Sequence, residues 1–140
     1  MKKVINRFVG PYRFLSNFWP CLIVLDDEPY SSVEHAYQAG KTNDENWRRR
    51  VQMEVKAGGA KRLGRKVPLR PDWEEVKVEF MLSLLRQKFN EPKLMEQLLS
   101  TRDSELIEGN DWHDYYWGVC NGRGENWLGK LLMRVREELG

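Results

Sequence analysis

The sequence predicts an α+β fold, mostly helical with a small sheet. Three observations predict it. Several segments carry apolar residues at helical spacing behind capping residues. Two short runs, VINRF (4–8) and CLIVL (21–25), have strand composition. A polar, aromatic and glycine-punctuated stretch, GNDWHDYYWGVCNGRGEN (109–126), fits neither pattern and reads as a long loop. No repeat, low-complexity run or linker divides the 140 residues, so they read as one domain, 1–140, long enough to bury a core.

The elements follow in order. After the strand at 21–25, Asp26-Asp27 is turn chemistry and Pro29-Tyr30 leads out of it. Ser31 or Ser32 then caps a first helix, and with Ser31 at the cap Glu34 completes a capping box. Residues 44–57 read as a charged helix ended by Gly58-Gly59. AKRLGRKVPLRP (60–71) is basic, a helical turn followed by loop. Asp72 opens the clearest helix, with Trp73, Val76, Phe80, Leu84 and Phe89 roughly in period. Glu91-Pro92 opens another, carrying Leu94, Leu98 and Leu99. ELIE (105–108) is a short strand. Asn126 caps a final helix whose Leu128, Leu131, Leu132, Val135 and Leu139 form one apolar stripe.

Charge and composition narrow the function. With 23 basic and 21 acidic residues the net charge is +2, which argues against a broad nucleic-acid-coating surface. No run approaches the roughly 20 apolar residues that span a bilayer, and no apolar segment follows the basic N-terminus as in a signal peptide. A cytoplasmic protein with no membrane partner is expected. Cys21 and Cys120 form no CxxC, and His35 and His113 are the only histidines, so no metal site and no cofactor are expected.

SVEHAYQAGK (32–41) is the densest polar motif. On a helix Glu34, Gln38 and Lys41 fall at i, i+4 and i+7 and share a face, with Tyr37 beside them. That face is either wet or the wall of a polar pocket. His35 lies off it and reads as a packed histidine.

Seven stretches in order resemble the NADAR family: GPYRFLSNFWP (10–20), YSSVEHAYQAGK (30–41), AKRLGR (60–65), LRPDWEEVK (69–77), MLSLLRQKF (81–89), LIEGNDWHDYYWG (106–118) and GRGENWLGKLLMRVREEL (122–139). The resemblance implies a small α+β domain with a pocket for a ribosylated compound and no required metal. Its members cleave the N-glycosidic bond of ribosyl-pyrimidine intermediates of riboflavin biosynthesis, or remove ADP-ribose from guanine in nucleic acid. It carries functional roles onto Glu34, Lys41, Trp73 and Asp114. Tyr115-Tyr116 is bulkier than the family's usual residues and VCNGRGEN is short, which bears on substrate choice.

Cleaving an N-riboside develops oxocarbenium character at the anomeric carbon. The site must stabilise that charge, protonate the leaving nitrogen and supply a nucleophile. Glu34 is expected to transfer the proton and Asp114 to orient water or ribose hydroxyls. Lys41 is the expected nucleophile, through a Schiff base, or a charge partner. The plainer readings are a capping-box Glu34, a solvated Lys41 and a turn-forming Asp114. Arg13, Arg62 and Arg65 are candidates for phosphate, Asn17 for ribose, Trp19, Trp73 and Trp117 for stacking on a base, and His113 for substrate contact beside Asp114. Two other functions compete: a non-catalytic ADP-ribose or nucleotide-binding module, and a nucleic-acid binder using Arg48-Arg49-Arg50 and the 60–71 stretch.

Overall fold

A computed structural model describes residues 2–140. The fold is α+β. Its elements are β1 (Val4–Ile5), a 3-10 helix (Gly10–Leu15), β2 (Pro20–Leu25), β3 (Glu28–Ser32), α1 (Val33–Gly40), α2 (Glu45–Gln52), α3 (Ala57–Gly64), α4 (Trp73–Lys88), α5 (Pro92–Leu99), β4 (Glu105–Leu106) and α6 (Trp127–Leu139). The chain groups into two compact units. One holds Asn17–Lys88, the other the N-terminal segment to Ser16 together with Phe89–Gly140.

In the 17–88 unit, β2 and β3 form an antiparallel hairpin with Ile23 opposite Tyr30 and Leu25 opposite Glu28. Asp26 and Asp27 both have positive φ, 49° and 66°, the backbone a tight type I′ connection needs. The sequence reading missed β3, because EPYSS lacks β-branched residues and contains a proline. Proline is tolerated in such a two-stranded edge, and the alternation survives in the burial of Tyr30 and Ser32. On the outer side of β2, the Gln87 amide donates to the Val24 carbonyl at 2.8 Å and accepts from the Val24 N–H at 2.9 Å.

All eight residues of α1 are buried, and α2, α3, α4, β2 and β3 surround it. A helix polar on one side can be buried all round only if its polar groups find partners. His35 does: its Nε2 donates to the Glu54 carbonyl at 3.0 Å, so its Nδ1 accepts from Ser32 Oγ at 2.7 Å. The packed reading of His35 holds.

Helix α2 is capped by Asp44, whose carboxylate accepts from the Trp47 N–H, and it ends at Gln52, earlier than the 44–57 reading. Gly58 and Gly59 do not stop it; they lie in the first turn of α3. Of the arginine triplet, Arg48 pairs with Asp26 at 2.5 Å and Arg50 lies over the Trp47 ring.

In the other unit, β1 runs parallel to β4, Ile5 opposite Leu106, and is shorter than the 4–8 reading. The 3-10 helix, begun by Pro11, was not anticipated. Glu91 caps α5 by accepting from the Lys93 and Leu94 N–H groups, with Pro92 in the first turn. Leu128, Leu131, Leu132 and Val135 bury the apolar stripe of α6. Asn126 occupies the cap position of α6 in a left-handed conformation, but its side chain does not cap. The carbonyls of Tyr116 and Trp117 accept from the Trp127 and Leu128 N–H groups instead. That releases the Asn126 amide to donate to the Leu106 carbonyl and accept from the Glu108 N–H.

Candidate functional site

The site is built on α1. Ser32, not Ser31, is its N-cap, accepting from the His35 N–H at 3.1 Å. Glu34 therefore stands one position too early for a capping box with Ser32. Its own N–H donates to the Asn17 carbonyl at 3.0 Å, which satisfies one of the orphan donors of the helix start. The capping-box reading with Ser31 therefore does not hold, and Glu34 is only 8% exposed. One turn on, Gln38 Nε2 donates to Glu34 Oε2 at 3.4 Å.

Lys41 follows at the C-cap, half-buried, its Nζ 5.5 Å from the centre of the Tyr37 ring. Burial pushes the Lys41 pKa down. Glu34 pulls it up, while Lys61, Arg65 and Lys77 push it further down. Glu34, Lys61, Arg65 and Lys77 are thus all within electrostatic range of Lys41, and Lys77 is itself paired with Glu74 at 2.8 Å. Basic side chains gathered around Lys41 suit an anionic ligand.

An aromatic cluster lies along the same helix. Tyr37 and Trp73 have ring centres 5.2 Å apart, and Phe80 meets Trp73 edge-on at 6.0 Å. Trp73 is buried in this cluster, the packing alternative for that tryptophan. Gly40 is needed there because a β-carbon at that position would overlap the Phe80 ring.

Two buried acceptors in this unit lack a hydrogen-bond partner among the described residues, Asn17 Oδ1 and Gln38 Oε1. Leaving such groups unsatisfied costs about 1–3 kcal/mol each, and sites of this kind call for an explanation. The Asn17 amide nitrogen is 3.6 Å from Met81 Sδ, a weak contact. Trp19 is half-buried. Arg62 and Arg65 are both exposed, and only Arg65 is in range of Lys41.

Asp114 belongs to the other unit. Its Oδ1 accepts from the Tyr116 and Trp117 N–H groups at 3.1 and 2.9 Å, so it does the work of a turn former. Asn110 braces the same loop, accepting from the Trp112 and Asp114 N–H groups and donating to the Asp114 carbonyl. Arg7 clamps Asp111 with two bonds, 2.7 and 3.2 Å. His113, exposed with a φ of 64°, meets the Tyr115 hydroxyl at 3.0 Å, and Trp117 packs edge-on against Tyr116. Arg13 is exposed on the 3-10 helix.

Glu34, Lys41 and Arg65 are thus associated within one unit, as is Trp73. Lys61, Lys77 and Gln38 were not among the expected site residues. The i, i+4 spacing of Lys61 and Arg65 was the available signal for the first of these, since it sets them on one face of α3 and Arg62 on another. Among the described residues no group of three or more His, Cys, Asp or Glu is arranged to hold a metal ion. No helix is long and apolar enough to cross a membrane.

Comparison with known proteins gives a consistent result. The NADAR domain profile matches residues 6–140. N-glycosidase YbiA of Escherichia coli K12 is 40% identical over 134 residues, covering 91% of this chain and 82% of that protein. A riboflavin biosynthesis protein of Vibrio vulnificus is 43% identical over 131 residues, 90% of this chain but 35% of that protein, so the chain spans about a third of that relative's length. The solution structure of E. coli YbiA superimposes with a TM-score of 0.85 at 37% identity, over 99% of this chain and 86% of that one.

Proposed function

The chain belongs to the NADAR family, and from that premise we propose that it is an N-glycosidase acting at ribose C1 of a phosphorylated ribosyl-base, with α1 supplying the chemistry. The observation that carries the reading is a buried Glu34 two turns before a half-buried Lys41 on the same face of α1, with burial lowering the pKa of the amine. A neutral amine is a nucleophile and an ammonium is not, so lowering the Lys41 pKa raises the reactive fraction.

In the proposed reaction the Lys41 amine attacks C1. The electron pair of the C1–N bond leaves with the base, which takes its proton from Glu34. The amine nitrogen then gives a proton to the Glu34 carboxylate, and the ring oxygen leaves C1 and takes that proton as a hydroxyl, opening the sugar to an imine. Water adds to C1 and releases the sugar and the free amine. Lys61 and Arg65 would receive the substrate's phosphate, which their range from Lys41 supports.

Between the two substrate classes, a ribosyl-pyrimidine intermediate of riboflavin biosynthesis is favoured over ADP-ribosylated guanine. The support is the Vibrio riboflavin biosynthesis relative, together with the internal partners of Arg48 and Arg50, which leave less of the arginine triplet for a nucleic-acid backbone. The test is incubation with a phosphorylated ribosylamino-pyrimidine and, separately, an ADP-ribosylated guanine oligonucleotide, each followed by mass spectrometry. Free pyrimidine from the first only is the expected result. Release from the second only would reverse the substrate choice, and binding without product from either would leave a binding module. Borohydride added during turnover should fix a sugar adduct on Lys41; turnover with no adduct would reduce Lys41 to a charge partner. The contribution of Asp114 is tested separately by Asp114→Asn.

A further inference from the structure

Gln38 is 4% exposed, with its Nε2 3.4 Å from Glu34 Oε2. That distance is long for an N–H···O bond, so the bond alone does not set the amide's position. The packing of α3 does. A β-carbon on Gly64 would overlap Gln38 Oε1 and Cδ, so the amide lies directly against the bare backbone of that residue. Its Oε1 is buried with no hydrogen-bond partner among the described residues. Turning the amide over would set this acceptor against the acceptor oxygens of Glu34. The observed orientation is therefore selected by Glu34 and held in place by Gly64.

We propose that Gln38 is a positioning residue for the reaction: Gly64, by lacking a side chain, lets α3 hold the Gln38 amide so that its N–H fixes the rotamer of the Glu34 carboxylate. This rests on the N-glycosidase reading above. It gives Gly64 a role that is neither a turn nor a helix stop, and it makes α3 a determinant of the turnover rate through a contact with no substrate atom.

The test is a double-mutant cycle of Gln38→Ala and Gly64→Ala, assayed on the phosphorylated ribosylamino-pyrimidine. Each single variant should lower kcat by roughly 10–100-fold, the usual cost of losing a group that orients a reacting residue, with KM changed by no more than about 2-fold. The double variant should be no slower than Gln38→Ala, because without the long side chain Gly64→Ala has nothing to displace. Unchanged kcat in Gln38→Ala, or losses that multiply in the double variant, would overturn the proposal. A second readout needs no activity. The Gln38 side-chain amide resonances in 15N-edited NMR should move in Glu34→Gln and again in Gly64→Ala; constancy in both variants would overturn the contact itself. A wild-type protein inactive on both substrate classes would defeat the glycosidase reading, while the resonances would still decide whether Gly64, Gln38 and Glu34 are linked.

Discussion

Helix α1 and the loop 109–126 each hold a candidate catalytic carboxylate, and they hold it by opposite means. Glu34 sits on a regular helix whose every residue is buried. Its surroundings are set by distant parts of the sequence: the Asn17 carbonyl takes its N–H, and α3 packs Gly64 against the Gln38 amide beside it. Asp114 is held almost wholly by its neighbours, with Tyr116 and Trp117 donating to one of its oxygens and Asn110 bracing its backbone. Burial by tertiary packing alters what a carboxylate and its partners can do chemically. Local backbone hydrogen bonds chiefly fix the shape of a loop. A carboxylate with little local duty is thus the stronger catalytic candidate.

The sharpest test of this contrast is Glu34→Gln. It keeps the size of the side chain and removes the transferable proton, so turnover should fall by about 10²–10⁴-fold while the thermal unfolding midpoint stays within a few degrees. Normal turnover would break the contrast at once. Gly40→Ala should act on the scaffold under α1: its β-carbon would overlap Phe80, and overpacking of this kind costs about 1–3 kcal/mol by denaturant unfolding. Asp114→Ala removes the acceptor for two loop N–H groups and should cost about 1 kcal/mol. Asp114→Asn retains that acceptor and should leave stability unchanged. If Asp114→Asn nevertheless silences the enzyme, the loop carboxylate has a chemical duty as well.

Lys41 supplies the smallest effect on stability and a pH signature. Its pKa is lowered in the folded state, chiefly by burial. Between the lowered and the ordinary lysine values the unfolded chain binds more protons, so stability rises with pH across that window and the penalty is fully present below it. Lys41→Met should therefore stabilise the protein at neutral pH. Because the side chain is only half-buried, solvent screening limits the gain to a few tenths of a kcal/mol, at most about 1. The same variant should abolish turnover. In the wild type, kcat should climb as pH rises through the lowered pKa; a kcat that falls over that range would remove the amine as nucleophile.

Much of this is legible in the sequence. The periods of α4 and α6 and the Glu91-Pro92 start of α5 are local signals, and each helix formed where those signals stood. Strand β3 was hidden because its pairing with β2, not its composition, makes it a strand. The same distinction runs through the site. The shared helical face of Glu34, Gln38 and Lys41 follows from their spacing alone. Which cations join Lys41 depends on how α3 and α4 pack around α1, and no local pattern encodes that. The true cap of α6 was likewise out of reach, because carbonyls from residues 116 and 117 took the place expected for the Asn126 side chain.

The two bonds between Gln87 and Val24 have a consequence for solubility. A two-stranded hairpin has an outer edge whose bare amides can recruit a strand from another molecule. Here one side-chain amide from α4 imitates the missing strand at the turn end of that edge, on the exposed Val24 and near the exposed Leu22. Removing that glutamine would leave both Val24 groups open to a strand from a second chain.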